Sequence, residues 1–68
     1  MSELEEVVLC SDEFEAIRLH DVENLSQVEA AAKMKISQPT FARTLDRAYK
    51  KLATAIVEGK AIQIENVG

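Results

Sequence analysis

Cysteine, histidine, proline and tyrosine each occur once in the 68 residues, and tryptophan does not occur. With Cys10 alone, no disulfide can form within the chain. With His20 as the one histidine, no Cys/His cluster is available for a structural zinc. No run of residues approaches the roughly 20 apolar positions of a membrane span. Nothing at the amino terminus has the form of a signal peptide, because the acidic stretch Ser2–Glu6 precedes only the brief apolar run Val7–Cys10. These absences, with a lone thiol that fits a reducing compartment, lead to the expectation of a soluble cytoplasmic protein without metal or cofactor. There is no internal repeat, linker or low-complexity segment.

A chain this short makes one domain, residues 1–68, and buries only about 60% of the surface its unfolded form exposes. Marginal stability is expected, with the shortfall made good by a homodimer or by neighbouring sequence. The net charge is -4, which opposes a polyanionic partner. Its distribution argues differently. Residues 1–29 hold nine acids against Arg18 and carry -8; residues 30–60 hold seven bases against Asp46 and Glu58 and carry +5; Glu65 completes the balance. An acidic half joined to a basic half fits a nucleic-acid face, although a solvated basic surface would read the same way.

Three helices are expected. The first opens at Ser11 or Asp12, with Asp12, Glu13 and Glu15 at the positive end of the helix dipole. Phe14, Ile17 and Leu19, with Ala16, form its apolar side. It ends near Asp21–Asn24, where Asn24 takes a left-handed conformation and Val22 and Leu25 lock the connection. Ser26-Gln27-Val28-Glu29 has the form of a capping box, so helix two opens at Ser26 with Val28, Ala31 and Met34 inward. A break at Lys35-Ile36 leads to Ser37-Gln38-Pro39, a second start signal, since a proline in the first turn removes an N–H that has no helical partner anyway. Proline disfavours helical dihedrals at Gln38, which makes Pro39 itself the expected entry. Phe41, Leu45, Ala48, Leu52, Ala55 and Ile56 then form one stripe of a long third helix that runs to about Glu58, with Gly59 as its stop. Glu6-Val7-Val8-Leu9 and the alternating Ala61-Ile62-Gln63-Ile64-Glu65 are β-prone and are expected to pair as a short ribbon, within one chain or between two. The fold class is thus all-α, a three-helix bundle containing a helix-turn-helix, with short terminal β-strands.

The spacing of helices two and three carries the functional reading. A capped helix of about nine residues, a break of three or four, and a second capped helix reproduce a helix-turn-helix from Ser26 to Leu45. In that motif the second helix lies in the major groove and reads base edges with its N-terminal residues. Ala31 falls where the two helices approach most closely, and Met34, Ile36, Phe41 and Leu45 fall where the unit turns inward. The outward positions are then Gln38, Thr40, Arg43, Thr44, Arg47 and Lys50, with Lys51 and Lys35 at the edges. Gln38 suits adenine, Arg43 guanine, and Thr40 or Thr44 a thymine methyl or a phosphate. Arg47, Lys50 and Lys51, and Ser26, Gln27 and Ser37 near the helix starts, suit phosphates. The plainer reading of the same residues is a solvated polar face.

Leu25-Ser26-Gln27-Val28-Glu29-Ala30-Ala31, Ile36-Ser37-Gln38, Thr40-Phe41-Ala42-Arg43 and the ending Gly59-Lys60-Ala61 resemble the prokaryotic family called domain of unknown function 134. The likeness continues upstream through Glu5-Glu6-Val7-Val8-Leu9 and Asp12-Glu13-Phe14-Glu15-Ala16-Ile17-Arg18-Leu19. It implies a DNA-binding protein of the winged-helix-like superfamily whose helix-turn-helix is similar to region four of bacterial sigma-70 factors, the part that reads the upstream promoter element. Two positions depart from the pattern. Pro39 replaces a side chain that is often polar. Lys35 replaces a common glycine, at a cost of about 1–2 kcal/mol if the turn there is left-handed. The pattern also usually includes a basic, proline-containing segment before the point where this chain begins.

Catalysis is not expected, because no nucleophile–base pair, glycine-rich phosphate loop or metal-ligand spacing is present. His20 beside Asp21 reads as a helix-end surface pair, and Cys10 as a small hydrophobe. Two functions follow: a sequence-specific, dimeric transcriptional regulator that binds double-stranded DNA, or a protein–protein module related to sigma region four that binds RNA polymerase or another regulator through the acidic face of Glu13, Glu15, Glu23 and Glu29.

Overall fold

The computed structural model describes residues 5–65. Strand β1, Glu6–Leu9, leads into helix α1, Ser11–Ile17, which continues as a π-helical turn over Arg18–Val22; helix α2, Gln27–Met34, and helix α3, Gln38–Glu58, follow, and strand β2, Ala61–Ile64, closes the chain. The architecture is the expected one, a small helical bundle with terminal strands.

Local chemistry sets the boundaries. Ser26 Oγ accepts from Glu29 N–H at 3.1 Å while the Glu29 carboxylate accepts from Ser26 N–H at 2.9 Å, which starts α2. Ser37 Oγ accepts from Thr40 N–H at 3.2 Å, which starts α3 at Gln38, one residue before Pro39. The helical segments end alike, in residues with positive φ: Asn24 (62°), Lys35 (60°) and Gly59 (67°). After each, the next N–H reaches back into the helix, Leu25 by six residues to Leu19 O at 3.1 Å, and Ile36 and Lys60 by five, to Ala31 O at 3.1 Å and Ala55 O at 2.9 Å, satisfying carbonyls a helix end leaves open. The turn between α2 and α3 is thus left-handed at a lysine, the costly case that the sequence left open.

The core joins Ala16 and Leu19 of the first helical segment to Ala30 and Ala31 of α2 and Phe41 and Leu45 of α3, with Ile17, Leu25, Met34 and Ile36 packed around it. Phe41 is fully enclosed. The alanines let the helices approach closely around that one large ring.

Several expected inward positions face solvent instead. Phe14 and Val22 are exposed, and Leu25 alone of the Val22/Leu25 pair packs on the core. On α2, Ala30 rather than Val28 is buried beside Ala31, and on α3, Ala55 is buried while Ile56 is 77% exposed. Val28 stands about 200° around the helix from Ala30, and Ile56 about 100° from Ala55, so each points away from the direction of its buried neighbour.

The strands pair in parallel, with Glu6 beside Ala61, Val7 beside Ile62, Val8 beside Gln63 and Leu9 beside Ile64. The ribbon forms within one chain, and all three helices lie in the connection between its strands. It packs on α3 mainly through β1, whose Leu9 is buried.

Candidate nucleic-acid interface

Helix α3 enters the surface through its first four turns. Ser37, Gln38, Pro39, Thr40, Ala42, Arg43, Asp46, Arg47 and Lys50 are exposed there. Ala42, Arg43, Asp46 and Arg47 line one shallow depression. Ser37 and Thr40 form a small hydroxyl pair, with Ser37 Oγ donating to Thr40 Oγ1 at 2.9 Å. Arg43 has no ion pair among the described residues, whereas Lys50 meets Asp46 at 3.2 Å. Lys35 and Ser26 are exposed and Gln27 is half-buried, each at an end of α2.

One expected outward position turns inward, and one expected at the edge is engaged within the chain. Thr44 is 2% exposed, and its hydroxyl donates to the Thr40 carbonyl at 2.9 Å, which leaves it unavailable to a ligand. Lys51 lies on the flank against α1, where its ammonium donates to Glu13 Oε1 at 2.8 Å and to the Val8 carbonyl at 2.9 Å. Arg47 stands between the two groups: it is half-exposed, yet reaches Glu13 Oε2 at 3.4 Å and Asp12 at 3.7 Å.

Glu13 was expected on the acidic outer face and is instead 2% exposed. Its Oε1 also accepts from Cys10 N–H at 2.8 Å. Burial works to push this carboxyl up, but the Lys51 hydrogen bond, the Cys10 amide, the Lys51 charge and Arg47 together hold it below its ordinary value. Lys51 is correspondingly raised, first by its hydrogen bond to Glu13. One buried carboxylate therefore fastens α1 to two cations on α3 and sets how the exposed face of α3 is presented.

A second anchor lies on the same helix. Tyr49 Oη donates to Asp21 at 2.6 Å, and burial, then that hydrogen bond and the Asp21 charge, push its phenol up to about 12. His20 is also structural: Nδ1–H donates to the Leu25 carbonyl at 2.8 Å, and the ring meets Phe41 edge-on at 6.3 Å. It is not paired with Asp21 as the sequence suggested. On the acidic side Arg18 bonds both Glu15, at 2.6 Å, and Glu23.

The sequence reading missed Ala42 and Asp46, although they share the three- and four-residue spacing of Pro39, Arg43 and Lys50 that places all five along one outer stripe. An exposed alanine methyl suits a thymine methyl, and an aspartate accepts from a cytosine amino group. Among the described residues, no cluster of three or more His, Cys, Asp or Glu is placed to hold a metal, and no helix is long and apolar enough to cross a membrane.

Comparison with other proteins gives one family. A family described as "Protein of unknown function DUF134" matches residues 1–68. A UPF0251 protein of Moorella thermoacetica is 55% identical over 65 residues, 96% of this chain and 44% of that protein. A UPF0251 protein of Methanosarcina mazei is 57% identical over 61 residues, 90% of this chain and 37% of its own length, and one of Thermoanaerobacter pseudethanolicus is 54% identical over 65 residues, covering 96% and 55%. The chain thus spans about half the length of these relatives, or less. No solved structure matches it.

Proposed function

The chain belongs to the DUF134 family of proteins of unknown function, and from that premise and the geometry of its helix pair we propose that it binds double-stranded DNA sequence-specifically, as a transcriptional regulator, with the start of α3 in the major groove. The observation that carries the reading is the turn itself: the Ser26-capped α2 and the Ser37-capped α3 are joined by three residues through left-handed Lys35. That arrangement fits a helix-turn-helix, and it leaves Gln38, Thr40, Ala42, Arg43 and Asp46 exposed at the end of α3 that enters a groove in this motif. Arg43, without an ion-pair partner among the described residues, suits guanine; Lys35, Arg47 and Lys50 suit phosphates.

Duplexes enriched from a random pool test this. With three or four cations at the interface, log K is expected to fall with log salt with a slope of roughly -3. Arg43→Ala is expected to cost about 1–3 kcal/mol on the preferred duplex and to relax selectivity at one base position. Millimolar binding that ignores both salt and Arg43→Ala overturns the proposal.

One observation favours a second reading. Val22 and Val28 are exposed beside Asp21, Glu23 and Glu29, an apolar and acidic combination that suits a basic protein surface such as one on RNA polymerase. Charge reversal at Glu23 then weakens polymerase capture and leaves DNA binding by α3 intact.

A further inference from the structure

The far end of α3 carries none of the groove-facing chemistry. Its last turn exposes Ile56 and Val57, at 77% and 83%, and β2 just beyond leaves Ile62 and Ile64 about half exposed. The amides of Ala61 in β2 and of Glu65 just after it donate inward, to Glu5 O at 3.0 Å and Leu9 O at 2.8 Å. Because main-chain groups alternate along a strand, those of Ile62 and Ile64 face the other edge, which no strand covers among the described residues. A β-branched edge without proline, bulge or central charge is the kind that accepts another strand.

We propose that this surface receives a second copy of the chain, β2 pairing antiparallel with β2 about a two-fold axis at Gln63. In that register Ile62 of each copy stands opposite Ile64 of the other, and the four outward amides each gain a carbonyl. The last turn of α3 brings Ile56 and Val57 to the same end of the molecule as this edge.

The open strand edge selects the occupant. A two-fold interface presents one patch to itself and must be self-complementary. The outer face of α3, with Arg43, Arg47 and Lys50, would meet its own positive charge, and the face bearing Glu15, Asp21 and Glu23 its own negative charge. At the β2 end, Lys60 is bonded to both Glu5 and Glu58 at 3.1 Å, which offsets part of the acidic rim, and the centre is apolar with main-chain donors and acceptors that can meet their like. An interface of standard size, about 800 Å² per partner, would cover roughly a sixth of the chain's 4779 Å² surface. The inference stands apart from DNA binding and is tested without DNA.

Sedimentation equilibrium of the whole chain from micromolar to millimolar concentration is expected to show mass rising toward twice the monomer. Val57→Glu places a charge on the exposed patch. Ile62→Pro removes an outward N–H that the ladder to β1 does not use, and edge strands accept proline. Each is expected to weaken association by about tenfold or more, with unchanged helical circular dichroism, while Lys33→Glu on α2 leaves it unaltered. If Ile62→Pro loses its helical signal, Val57→Glu alone decides. A wild-type chain that stays monomeric throughout, or a dimer equally strong in Val57→Glu, overturns the assignment.

Discussion

Acidic residues in the first turn of a helix ordinarily serve the helix dipole from the solvent side, and Asp12 fits that description. Glu13, one position on, does not. Its burial against Lys51 and Arg47 makes it the residue on which the α1–α3 contact turns, and the sequence carried no mark of this because both roles use the same residue type at the same position. A depressed carboxyl pKa contributes stability that is present above the ordinary glutamate range and is lost as pH falls through the lower, folded value. Glu13→Gln is therefore expected to lower stability at neutral pH by about 3 kcal/mol, the low end for breaking a buried pair, since Arg47 and Lys51 are partly exposed and can rehydrate. Its acid limb should also be shallower than that of the wild type, though not flat, because Glu15 and Glu29 are held low as well. Thermal melts of both proteins across the acidic range check this. A variant as stable as wild type at neutral pH, with the same acid limb, contradicts the clamp.

Among the elements, starts and stops were the most legible features, because each rests on a side chain or backbone conformation that few residues supply. Ser26 with Glu29, Ser37 before Pro39, and Gly59 all mark boundaries the structure keeps. Lys35 is the exception that occupies a glycine's place: its φ of 60° stores strain in the turn that orients α3. Lys35→Gly relieves that strain and is expected to raise stability by about 1 kcal/mol, read as a rise in melting temperature. An unchanged or lower melting temperature would mean that the lysine's own contacts or the entropy of the unfolded glycine outweigh the strain. Which face of each helix turns inward was less legible. Where apolar residues stand side by side, as in Val28-Glu29-Ala30-Ala31 or Ala55-Ile56-Val57, periodicity alone cannot choose among them; packing around Phe41 took Ala30 and Ala31 over Val28, and at the other end of α3 Ala55 is buried instead of Ile56. The π-helical turn was not foreseen either, since its wider i to i+5 pattern has no sequence signature here. The strands were foreseen, but their parallel direction was decided only by the path of the three helices between them.

For the molecule as a whole, the charge split read from the sequence is only partly available to a partner. Lys51 is spent on Glu13, Lys60 on Glu5 and Glu58, and Arg47 is shared with Asp12 and Glu13. The usable positive field thus narrows to Lys33, Lys35 and Arg43, with a part share from Arg47 and from Lys50, which Asp46 holds at 3.2 Å. That aspartate is expected to restrain binding to arbitrary DNA. Asp46→Ala removes a negative charge from the proposed interface and frees Lys50, so affinity for random duplex should rise severalfold with a steeper dependence on salt, while the preference between duplexes narrows. Fluorescence anisotropy on one preferred and one scrambled duplex measures both. A fall in affinity for the scrambled duplex would place Asp46 outside the interface. The parallel ribbon has a mechanical side as well. Its two strands point the same way, so the backbone enters at one end, at Glu5, and leaves at the other, at Glu65. Tension between the two ends then draws the strands past each other along their length. Such shear strains the ladder hydrogen bonds together instead of unzipping them singly, so a pull on this domain from its ends meets its stiffest direction first.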